Sequence, residues 1–436
     1  MERFDVLVVG GGVAGVCGAI SAARTGLNVA LIESSPMVGG IVTEGPLEAL
    51  MTFHDNQGQI VKGIADEIIV RLIAKGGSPG YISDTVGYCN SLVPYDAELI
   101  KLVMYEMLEE SKCSLYLNSL VTAVTIQDSK VVSVIINGNS SREELSCLAI
   151  IDASGGGEIA RLAGASLLYG RESDSKVQPM TTLCKIGNVN TELLRAYVKS
   201  NPHHFKLANN ADLNTPYLHL WGFKDVLEQG AIEKKLSLNR KELQLMMTPT
   251  KGEVVINFSR FVGDPRRIED VSRAQITTIK QIHQLLNYLK ESLEAFKNAQ
   301  LLHTGKIGIR ESRRVKGIYE LTPEDILNQR QFEYSVAKGA FPIDIHQPDG
   351  QSLTTKSLNG SYCIPMESII SIDIENLFIA GRCISAKHEA LASARITATA
   401  MATGHAAGVL ATIYALHKTV DYGKVKELLA SQNAIF

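Results

Sequence analysis

A glycine-rich turn near the start of the chain has the residue types and spacing that bind a pyrophosphate. It reads Gly10-Gly11-Gly12-Val13-Ala14-Gly15, which fits the pattern G-x-G-x-x-G. The first glycine permits the tight bend, the second lets the backbone approach the phosphates, and the third lets helix and strand pack closely. Glu33 follows 18 positions after Gly15, where a carboxylate can accept the hydroxyls of a ribose. Together these residues predict a bound dinucleotide.

A second group of side chains that could do chemistry lies in the C-terminal half. Arg310, Arg313 and Arg314 place three guanidinium groups within five residues, with Glu311 among them. Facing a cleft, Arg310 or Arg313 could orient a substrate carboxylate through two hydrogen bonds or stabilise an enolate. Alternatively, these arginines join two domains through ion pairs with Glu311 and other carboxylates. Both interpretations stay open at this point.

His388 is a candidate for proton transfer. It lies between Lys387 and Glu389, and an unperturbed histidine titrates near neutral pH. It could therefore donate or accept a proton during a reaction. The alternative is a loop histidine that hydrogen-bonds the backbone.

Composition excludes several classes of protein. The net charge of the 436 residues is -3, with no long block of one sign, which argues against nucleic acid and polybasic membrane contacts. The seven cysteines are scattered without a C-x-x-C pair, so we expect a reducing compartment and no metal site. The first three residues run directly into a strand, leaving no room for a signal peptide. The apolar segment 392–416 contains Arg395 and His405, so we predict a buried helix, no membrane span and a cytoplasmic protein.

Hydrophobic periodicity indicates the elements that position these residues. Apolar runs predict strands at 6–9 and 29–32 on either side of an alanine-rich helix, followed by a turn at Ser34 to Gly40 with the pair Gly39-Gly40. A helix over 96–111 and short strands at 115–117, 121–126, 131–136 and 147–151 come next. The last strand runs into Asp152 and a second glycine turn, Ala153-Ser154-Gly155, whose alternative interpretation is a plain tight turn.

The pattern changes near residue 170. Strand-like runs and a long helix over 268–297 indicate an inserted domain, and buried strands at 368–371 and 377–380 followed by an alanine-rich helix return the chain to the first sheet. The predicted class is α/β, a Rossmann-like domain of parallel sheet, helices and β-meander, with an inserted α+β substrate domain. The predicted domains are 1–169, with 43–90 lying over them, then 170–359 and 360–436.

Several motifs together resemble a family, the bacterial FAD-dependent oxidoreductases with a glutathione-reductase-like flavin domain, distantly related to the fumarate reductase flavoproteins. They are the first glycine turn with Glu33 and Gly39-Gly40, IIDASGGGEIARLAGA at 150–165, IGIRESRRVKGIYELTPEDIL at 307–327, and NLFIAGRCISAKHEALASARITATAMATGHAAG at 376–408. The segment at 150–165 is similar to the D-A-T-G segment of the group, with Ser154 replacing threonine. The resemblance covers nearly the whole chain.

The resemblance implies roles for particular residues. The loop at Ala153 lies near the dinucleotide, the turn at Gly381 approaches the pyrophosphate, the backbone of Val121 pairs with adenine, and the N-terminus of the final helix, from Ser393, points at the flavin. The implied FAD site is Gly10, Gly12, Val13, Ala14, Gly15, Glu33, Ser34, Gly39, Gly40, Val121, Ala153, Ser154, Gly155, Gly381, Arg382, Ser393, Arg395 and Ile396.

Three absent motifs refine the expectation. The chain has no second G-x-G-x-x-G, which argues against a separate NAD(P)H domain, and no C-x-x-x-x-C after the first turn, which argues against a redox disulfide. No histidine follows Gly39-Gly40, where fumarate-reductase-like proteins attach flavin covalently. The resemblance therefore implies noncovalent FAD.

Three functions remain open from the sequence. The first is hydride transfer between a small organic substrate and FAD, with Arg310, Arg313 and His388 as catalytic candidates. The second is an O2-using oxidase or monooxygenase on the same fold. The third is an assembly or regulatory subunit in which FAD is structural. The substrate is not specified, and the sequence carries no signal for an oligomeric state.

Overall fold

A five-stranded parallel sheet, the cofactor sheet, carries the first glycine turn in the computed structural model, which describes residues 2–47, 49–238, 240–350 and 352–436. Its strands in spatial order are Leu377–Ile379, Ala149–Asp152, Val6–Val9, Val29–Ile32 and Ser114–Tyr116. Every residue of the first four strands is buried, as expected of a parallel sheet covered on both faces. The C-terminal segment thus completes a sheet begun at residue 6, and the predicted α/β class is confirmed.

Two helices of small residues cross closely beside this sheet. Helix Val13–Ala23 packs against helix Thr397–His417, which is buried along nearly its whole length. A Cβ atom at Gly404 would lie 2.0 Å from the carbonyl oxygen of Ala14, so only glycine permits this approach. Among the described residues, Thr397–His417 is the single helix long and apolar enough to cross a membrane, and its burial is that of a core helix.

The other helices of this part surround the cofactor sheet or lie beside it. They are Ile41–Glu44, Ile64–Ala74, Ala97–Glu110, Glu158–Leu162, Pro323–Leu327, His388–Ala394 and Tyr422–Ser431. Helix Ala97–Glu110 begins after Asp96, whose carboxylate accepts the N–H groups of Glu98 and Leu99 at 2.9 Å each. The first and last residues of the helix predicted over 96–111, Asp96 and Ser111, are therefore its N-cap and C-cap.

The predicted β-meander forms a separate sheet. Its strands in spatial order are Glu2–Arg3, Arg142–Ser146, Lys130–Asn137 and Leu120–Gln127. The hairpin between the last two turns at Asp128 and Ser129, both with positive φ. The strand Arg142–Ser146 is absent from the sequence prediction because its Arg-Glu-Glu run is exposed and lacks an apolar face. A strand pair, Ala49–Met51 with Leu92–Pro94, lies near the cofactor cavity described below.

The inserted domain contains a six-stranded antiparallel sheet, the inserted sheet. Its strands in spatial order are Phe205–Lys206, His219–Gly222, Leu243–Met247, Val254–Asn257, Cys184–Gly187 and Gln300–Thr304. Helices Thr191–Ser200, Lys224–Ile232 and Ile268–Ser292 accompany this sheet. They share with it a hydrophobic core of its own, which includes Leu245, Ile256, Leu286 and Phe296. The long helix ends at Ser292, before the predicted residue 297, and a 3-10 turn follows.

The chain returns to the larger core before residue 359. Val315, Ile326 and Ile343 belong to the same hydrophobic cluster as the cofactor sheet. The short strands of this segment pair as Leu167–Tyr169 with Arg313–Val315, Ser335–Gly339 with Tyr362–Pro365, and Ile343–His346 with Leu353–Lys356. The domain boundaries at 170 and 359 stay a prediction, and this packing favours an earlier return of the chain.

One predicted strand near the end of the chain is wrong. Ser368 ends a 3-10 turn, Met366–Ser368, and Ile370 and Ser371 each form a single bridge. The apolar run is buried because it lies against the edge strand Leu377–Ile379, so burial without regular pairing produced the strand-like pattern.

Candidate functional site

The glycines of the first turn are required for two different reasons. A Cβ atom added at Gly10 would lie 2.4 Å from the carbonyl oxygen of Ala153. A Cβ atom added at Gly15 would lie 1.8 Å from the carbonyl oxygen of Gly10. Gly10 also has a φ of +103°. Gly12 differs, because its Cβ would meet no protein atom within 4 Å. The space above Gly12, at the start of helix Val13–Ala23, therefore fits a bound pyrophosphate, and Val13 and Ala14 line the same cavity.

Glu33 lies at the end of strand Val29–Ile32 and faces this cavity. Its carboxylate accepts hydrogen bonds from the N–H of Gly11, the N–H of Ser35 at 2.7 Å and the hydroxyl of Ser34 at 3.1 Å. These donors hold the side chain in place while leaving it at the cavity wall. The arrangement fits the predicted role of Glu33 in accepting ribose hydroxyls.

The meander forms the part of the cavity wall that the family resemblance assigns to adenine. Leu120, Val121 and Thr122 line it together with Ser119. The pairing of strand Leu120–Gln127 with its neighbour shifts register between Val121 and Ala123. A bulge interrupts the hydrogen-bond ladder at this point, which is where the family resemblance places the contact between backbone and adenine.

The second glycine turn is held by a buried carboxylate. Asp152, fully buried, accepts the hydroxyl of Ser154 at 2.6 Å and the backbone N–H of Ile159 at 2.9 Å. Burial raises the pKa of Asp152, and these hydrogen bonds oppose that shift. A serine in place of the family threonine thus keeps the hydroxyl that the turn uses. Arg382 Nε donates to the carbonyl of Gly155 at 2.9 Å, which links this turn to the one at Gly381.

Gly39 and Gly40 complete the phosphate end. The N–H of Gly39 donates to the carbonyl of Gly11 at 2.7 Å, and a Cβ at Gly40 would lie 3.1 Å from the Cα of Gly12. Both glycines have positive φ and line the cavity. The cavity is also lined by Ala153, Ser154, Gly155, Gly381 and Arg382. All the loops predicted to bind the dinucleotide thus face one space.

The helix predicted to point at the flavin begins later than the sequence indicated. Helix His388–Ala394 ends first, and Ile396 is the N-cap of the second helix, Thr397–His417. Arg395 and Ile396 line the cavity as predicted. Ser393 does not line it, because it belongs to the first helix and its hydroxyl hydrogen-bonds a backbone carbonyl and a tyrosine in the core.

One cavity of about 790 Å³ joins these loops to a chamber between the two domains. This volume lies in the upper part of the usual range for ligand sites, roughly 300–1,000 Å³. We call its inner end the interdomain chamber; its polar residues are Tyr88, Thr181, Gln244, Asn257, Arg310, Asp344, His346 and Arg395. The inserted sheet contributes Gln244 and Asn257, and the break before helix Thr397–His417 contributes Arg395. The loops around Gly12 and the chamber therefore open into one continuous space.

Four arginines surround the interdomain chamber. Arg310 and Arg395 line it, and the buried Arg260 and Arg240 lie behind them. Burial lowers the pKa of Arg310 to about 9 and that of Arg240 to about 10, and the positive charge of Arg395 contributes at Arg310. The carboxylate among them is Asp344, with its Oδ2 3.9 Å from Arg395 Nη2. The chamber is strongly electropositive.

His346 and Asp344 form a pair on strand Ile343–His346. His346 Nδ1 accepts from Arg260 Nη2 at 3.1 Å, so the ring proton resides on Nε2, which lies 3.4 Å from Asp344 Oδ2. Burial and the charge of Arg310 hold the pKa of His346 well below its ordinary value, so the ring is neutral. Burial would raise the pKa of Asp344, but His346, Arg395 and Arg310 lower it, and the carboxylate is ionised.

The three predicted catalytic residues lie in different places. Arg310 lines the interdomain chamber, whereas Arg313 lies 2.9 Å from Glu158 and lines a smaller cavity of about 400 Å³. His388 is buried outside the lining of both cavities, with Nδ1 2.8 Å from Glu311 Oε2. The two interpretations of the arginine run therefore apply to different residues. Arg310 faces a cavity, and Arg313 joins two segments through its ion pair with Glu158.

The sequence interpretation missed several residues of the chamber, namely Tyr88, Asp344, His346 and the more deeply buried arginines. The signal for one pair was present. Asp344 and His346 alternate with isoleucines in Ile343–His346, yet every residue of this strand is buried. Polar residues on a strand with two buried faces indicate a polar cavity, but burial of both faces is not visible in the sequence. Tyr88 and the buried arginines lie in segments without a motif.

The chain is similar in fold to solved flavin-enzyme structures. It aligns over 100% of its length with 85% of a geranylgeranyl bacteriochlorophyll reductase-like protein from Thermoplasma acidophilum, at 14% identity and a TM-score of 0.51. It aligns over 99% of its length with 79% of the myxobacterial chondrochloren halogenase, at 12% identity and a TM-score of 0.50. At these identities the similarity establishes the fold.

The sequence itself matches a family model described as FAD dependent oxidoreductase over residues 5–429. This match spans both glycine turns, the arginine run and helix Thr397–His417. The cavity above Gly12 fits the cofactor. The predictions of an FAD cofactor and of an enzyme are confirmed. The chain belongs to the family of FAD-dependent oxidoreductases.

Proposed function

We propose that this oxidoreductase transfers a hydride between a small organic substrate and noncovalently bound FAD in the interdomain chamber. The observation that supports the proposal is the single cavity that runs from the loops at Gly12 to the chamber at Arg310 and Asp344. FAD, when bound, supplies a two-electron acceptor or donor. The polar groups of the chamber come from both domains, as in many substrate sites at domain interfaces.

The chain's own residues supply orientation and charge. Arg310 and Arg395 are placed to bind a polar group of the substrate through paired hydrogen bonds. The N-terminus of helix Thr397–His417 lines the cavity through Ile396 and Thr397, and its dipole stabilises negative charge at that point. The buried wall excludes water and strengthens these interactions.

Tyr88 is the proposed proton donor. Its hydroxyl is buried at the chamber, and burial together with the Asp344 carboxylate raises its pKa, so the proton stays on the oxygen at neutral pH. Asp344 lies close enough to Tyr88 for its charge to act on the hydroxyl, with the carboxylate ionised and the neighbouring imidazole of His346 neutral. Tyr88 Oη would donate the proton that accompanies reduction of a substrate, and the tyrosinate left behind would take a proton from solvent before the next turnover.

The other functions open from the sequence give different outcomes. An O2-using oxidase or monooxygenase would show fast reoxidation of the reduced protein by O2. An assembly subunit would show no flavin reduction by any small molecule and a stable protein partner. A cytoplasmic location and the relation to glutathione reductase and fumarate reductase flavoproteins stay predictions.

The test is anaerobic stopped-flow of the FAD-loaded protein against carboxylates, polyols and their oxidised counterparts, followed at the flavin absorption band. We expect one substrate series to reduce or reoxidise the flavin faster than its neighbours. Tyr88→Phe should slow that step without loss of flavin. Absence of any reaction, combined with capture of a partner, would overturn the proposal.

A further inference from the structure

The arginines of the interdomain chamber differ from others in the chain in what they contact. Elsewhere arginine is commonly paired with carboxylate, as for Arg314 with Glu311 and for Arg71 with Glu67 and Glu110. In the chamber the partners are mostly neutral. Burial of a guanidinium without a counter-charge is costly, and arginine stays charged inside proteins. The chamber therefore holds positive charge that a ligand can neutralise.

Two of the arginines make contacts to neutral oxygens on the inserted domain. Arg260 Nη1 donates to Asn257 Oδ1 at 2.9 Å and to Thr181 Oγ1 at 3.0 Å. Arg240 Nη1 donates to the carbonyl of Phe258 at 2.7 Å. These bonds fix the positions of the side chains without reducing their charge.

The two arginines at the cavity wall share a single carboxylate, that of Asp344. Arg310 Nη1 donates to the carbonyl of Pro179 at 2.7 Å. Arg395 Nη2 lies 3.5 Å from Gln178 Oε1 and 3.9 Å from Asp344 Oδ2, the latter beyond hydrogen-bond distance. Four guanidinium groups thus face one carboxylate, since His346 is neutral, and an excess of three positive charges remains.

Carboxylates near this group are engaged elsewhere. Glu311, which contributes to the electrostatics at Arg395, makes its salt bridge with Arg314. Glu242 contributes to the electrostatics at Arg240, but its carboxylate lies 2.6 Å from Lys206 Nζ and 3.6 Å from Lys224 Nζ. Neither cancels the excess inside the chamber.

Several polar atoms at the chamber wall or next to it are buried without a hydrogen-bond partner among the described residues. They are Tyr88 Oη, Asp344 Oδ1 and Arg395 Nε on residues that line the cavity, and Gln178 Nε2 on a residue that contacts Arg395 and His346. Asp344 and Arg395 line the cavity, and Asp344 is only 8% exposed. Such atoms are costly in a folded protein unless a ligand or water satisfies them, so they mark the same place as the charge excess.

We propose that the interdomain chamber binds a small organic acid with two negative charges, held by Arg310 and Arg395 with Arg260 and Arg240 behind them. This substrate class rests on the proposed function, because it assigns the ligand of the same chamber. A dianion would cancel most of the excess charge, and the anionic form of a reduced flavin would offset the rest. A dicarboxylate and a phosphate monoester share this chemistry, and the experiment separates them.

The test is calorimetric and spectroscopic titration of the oxidised FAD-loaded protein. The probes are malonate, succinate and glutarate as dicarboxylates, glycerol 3-phosphate as a phosphate dianion, propionate as a monoanion and succinamide as a neutral analogue. We expect at least one dianion to perturb the flavin spectrum and to bind at least about tenfold more tightly than propionate and succinamide. Equal binding of charged and neutral probes, or no response to any dianion, would overturn the proposal.

Variants assign the binding to the arginines. Arg310→Gln should weaken the preferred dianion at least about tenfold, and Arg310→Lys should weaken it less, because lysine keeps the charge but loses the forked geometry. The matched control is Arg267→Gln, since this exposed arginine lies on the surface with its Nε 4.0 Å from Glu269. Undiminished affinity in folded, flavin-containing Arg310→Gln contradicts the assignment. If Arg310→Gln fails to fold, the same loss of dianion affinity is measured in Arg395→Gln, together with the comparison of probes in the wild-type protein.

Binding and turnover are separate readouts. A dianion that binds as predicted without reducing or reoxidising the flavin would support the ligand class and contradict hydride transfer with it. Reduction by an uncharged substrate that does not compete with the dianions would support the proposed function and overturn the substrate class.

Discussion

At the scale of single residues, the glycines of the first turn separate ligand binding from folding. Gly10 and Gly15 face protein atoms so closely that a side chain cannot be added, whereas the space beside Gly12 is open. The sequence pattern assigns the three glycines different roles but does not show which positions have room for a side chain. The structure shows that protein atoms exclude a side chain at Gly10 and Gly15 and not at Gly12.

This difference predicts opposite effects of two substitutions. Gly12→Val should fold but lose FAD, because its side chain would occupy the pyrophosphate space and its backbone, with φ of -62°, accepts any residue. Gly15→Ala should lower the free energy of unfolding by about 2 kcal/mol or more, because its Cβ would overlap the carbonyl of Gly10. Flavin absorbance after gel filtration and thermal unfolding of the apoproteins measure the two effects. A flavin-saturated Gly12→Val protein would refute the assignment.

The arginine run gives a second prediction at this scale. Arg310→Gln should lower kcat/KM by about 100-fold or more, because it removes a buried charge that faces the substrate. Arg313→Gln should change stability by only about 0.2–1 kcal/mol, because its ion pair with Glu158 is partly exposed. Steady-state kinetics with the substrate found by stopped-flow, and urea unfolding, test both. A larger loss of kcat/KM in Arg313→Gln than in Arg310→Gln would return the catalytic role to Arg313.

At the scale of elements, the helix pair Val13–Ala23 and Thr397–His417 explains why residues separated by almost the whole chain form one site. Gly404 and Gly408 let the backbones meet, as a Cβ at Gly408 would lie 2.4 Å from the carbonyl of Gly18. One helix begins at the phosphate loop and the other at Ile396, so this crossing sets the distance between the two ends of the cofactor cavity.

A buried histidine in this helix pair makes stability depend on pH. His405 is 2% exposed, with Nε2 2.6 Å from Gln432 Oε1, and burial lowers its pKa to about 4. In the unfolded chain the pKa is near 6.5, so between pH 6.5 and 4 the unfolded state binds a proton that the folded state does not. The free energy of unfolding should therefore fall with decreasing pH across this window, by roughly 3 kcal/mol from this residue.

Denaturant unfolding at several pH values between 7 and 4 measures this dependence. His405→Gln should be less stable than the wild type at pH 7 yet lose less stability on acidification, because glutamine does not titrate. Parallel curves for the two proteins would show that other groups cause the acid sensitivity.

At the scale of the whole molecule, local sequence patterns predict the cofactor domain. They do not predict the chamber, because its residues come together only through long-range packing. Strands such as Val6–Val9 and Val29–Ile32 were predictable because their pattern is continuous and ends in a glycine turn or a carboxylate. Tyr88, Arg260 and His346 come from separate segments and meet only in the fold, so no spacing in the sequence relates them. The predicted role of Ser393 shifted because the break at Arg395 interrupts a run that reads as one helix.

A buried ion pair between Asp84 and His219, which we call the clasp, joins the two walls of the chamber. Asp84 Oδ1 lies 2.7 Å from His219 Nδ1 on the inserted sheet, and both side chains are almost completely buried. Asp84 also accepts the N–H groups of Tyr88 at 2.6 Å and of Cys89 at 3.1 Å. Burial would raise the pKa of Asp84, but His219 and the backbone N–H groups of Val86 and Cys89 lower it, so the carboxylate is ionised. The clasp thereby connects the inserted sheet to the loop that carries Tyr88.

Asp84→Asn should therefore impair the substrate end of the molecule while sparing the cofactor end. The asparagine amide cannot accept the hydrogen bonds of both walls, so the loop of Tyr88 loosens, and small displacements at a reacting centre cost up to about 100-fold in kcat/KM. The flavin-to-protein ratio should be unchanged, because the clasp does not contact the loops at Gly12 or Glu33. Asp174→Asn is the control, since it removes a surface ion pair with Arg171. A joint loss of flavin and activity in Asp84→Asn would show that the two domains hold the cofactor together, rather than dividing cofactor and substrate between them.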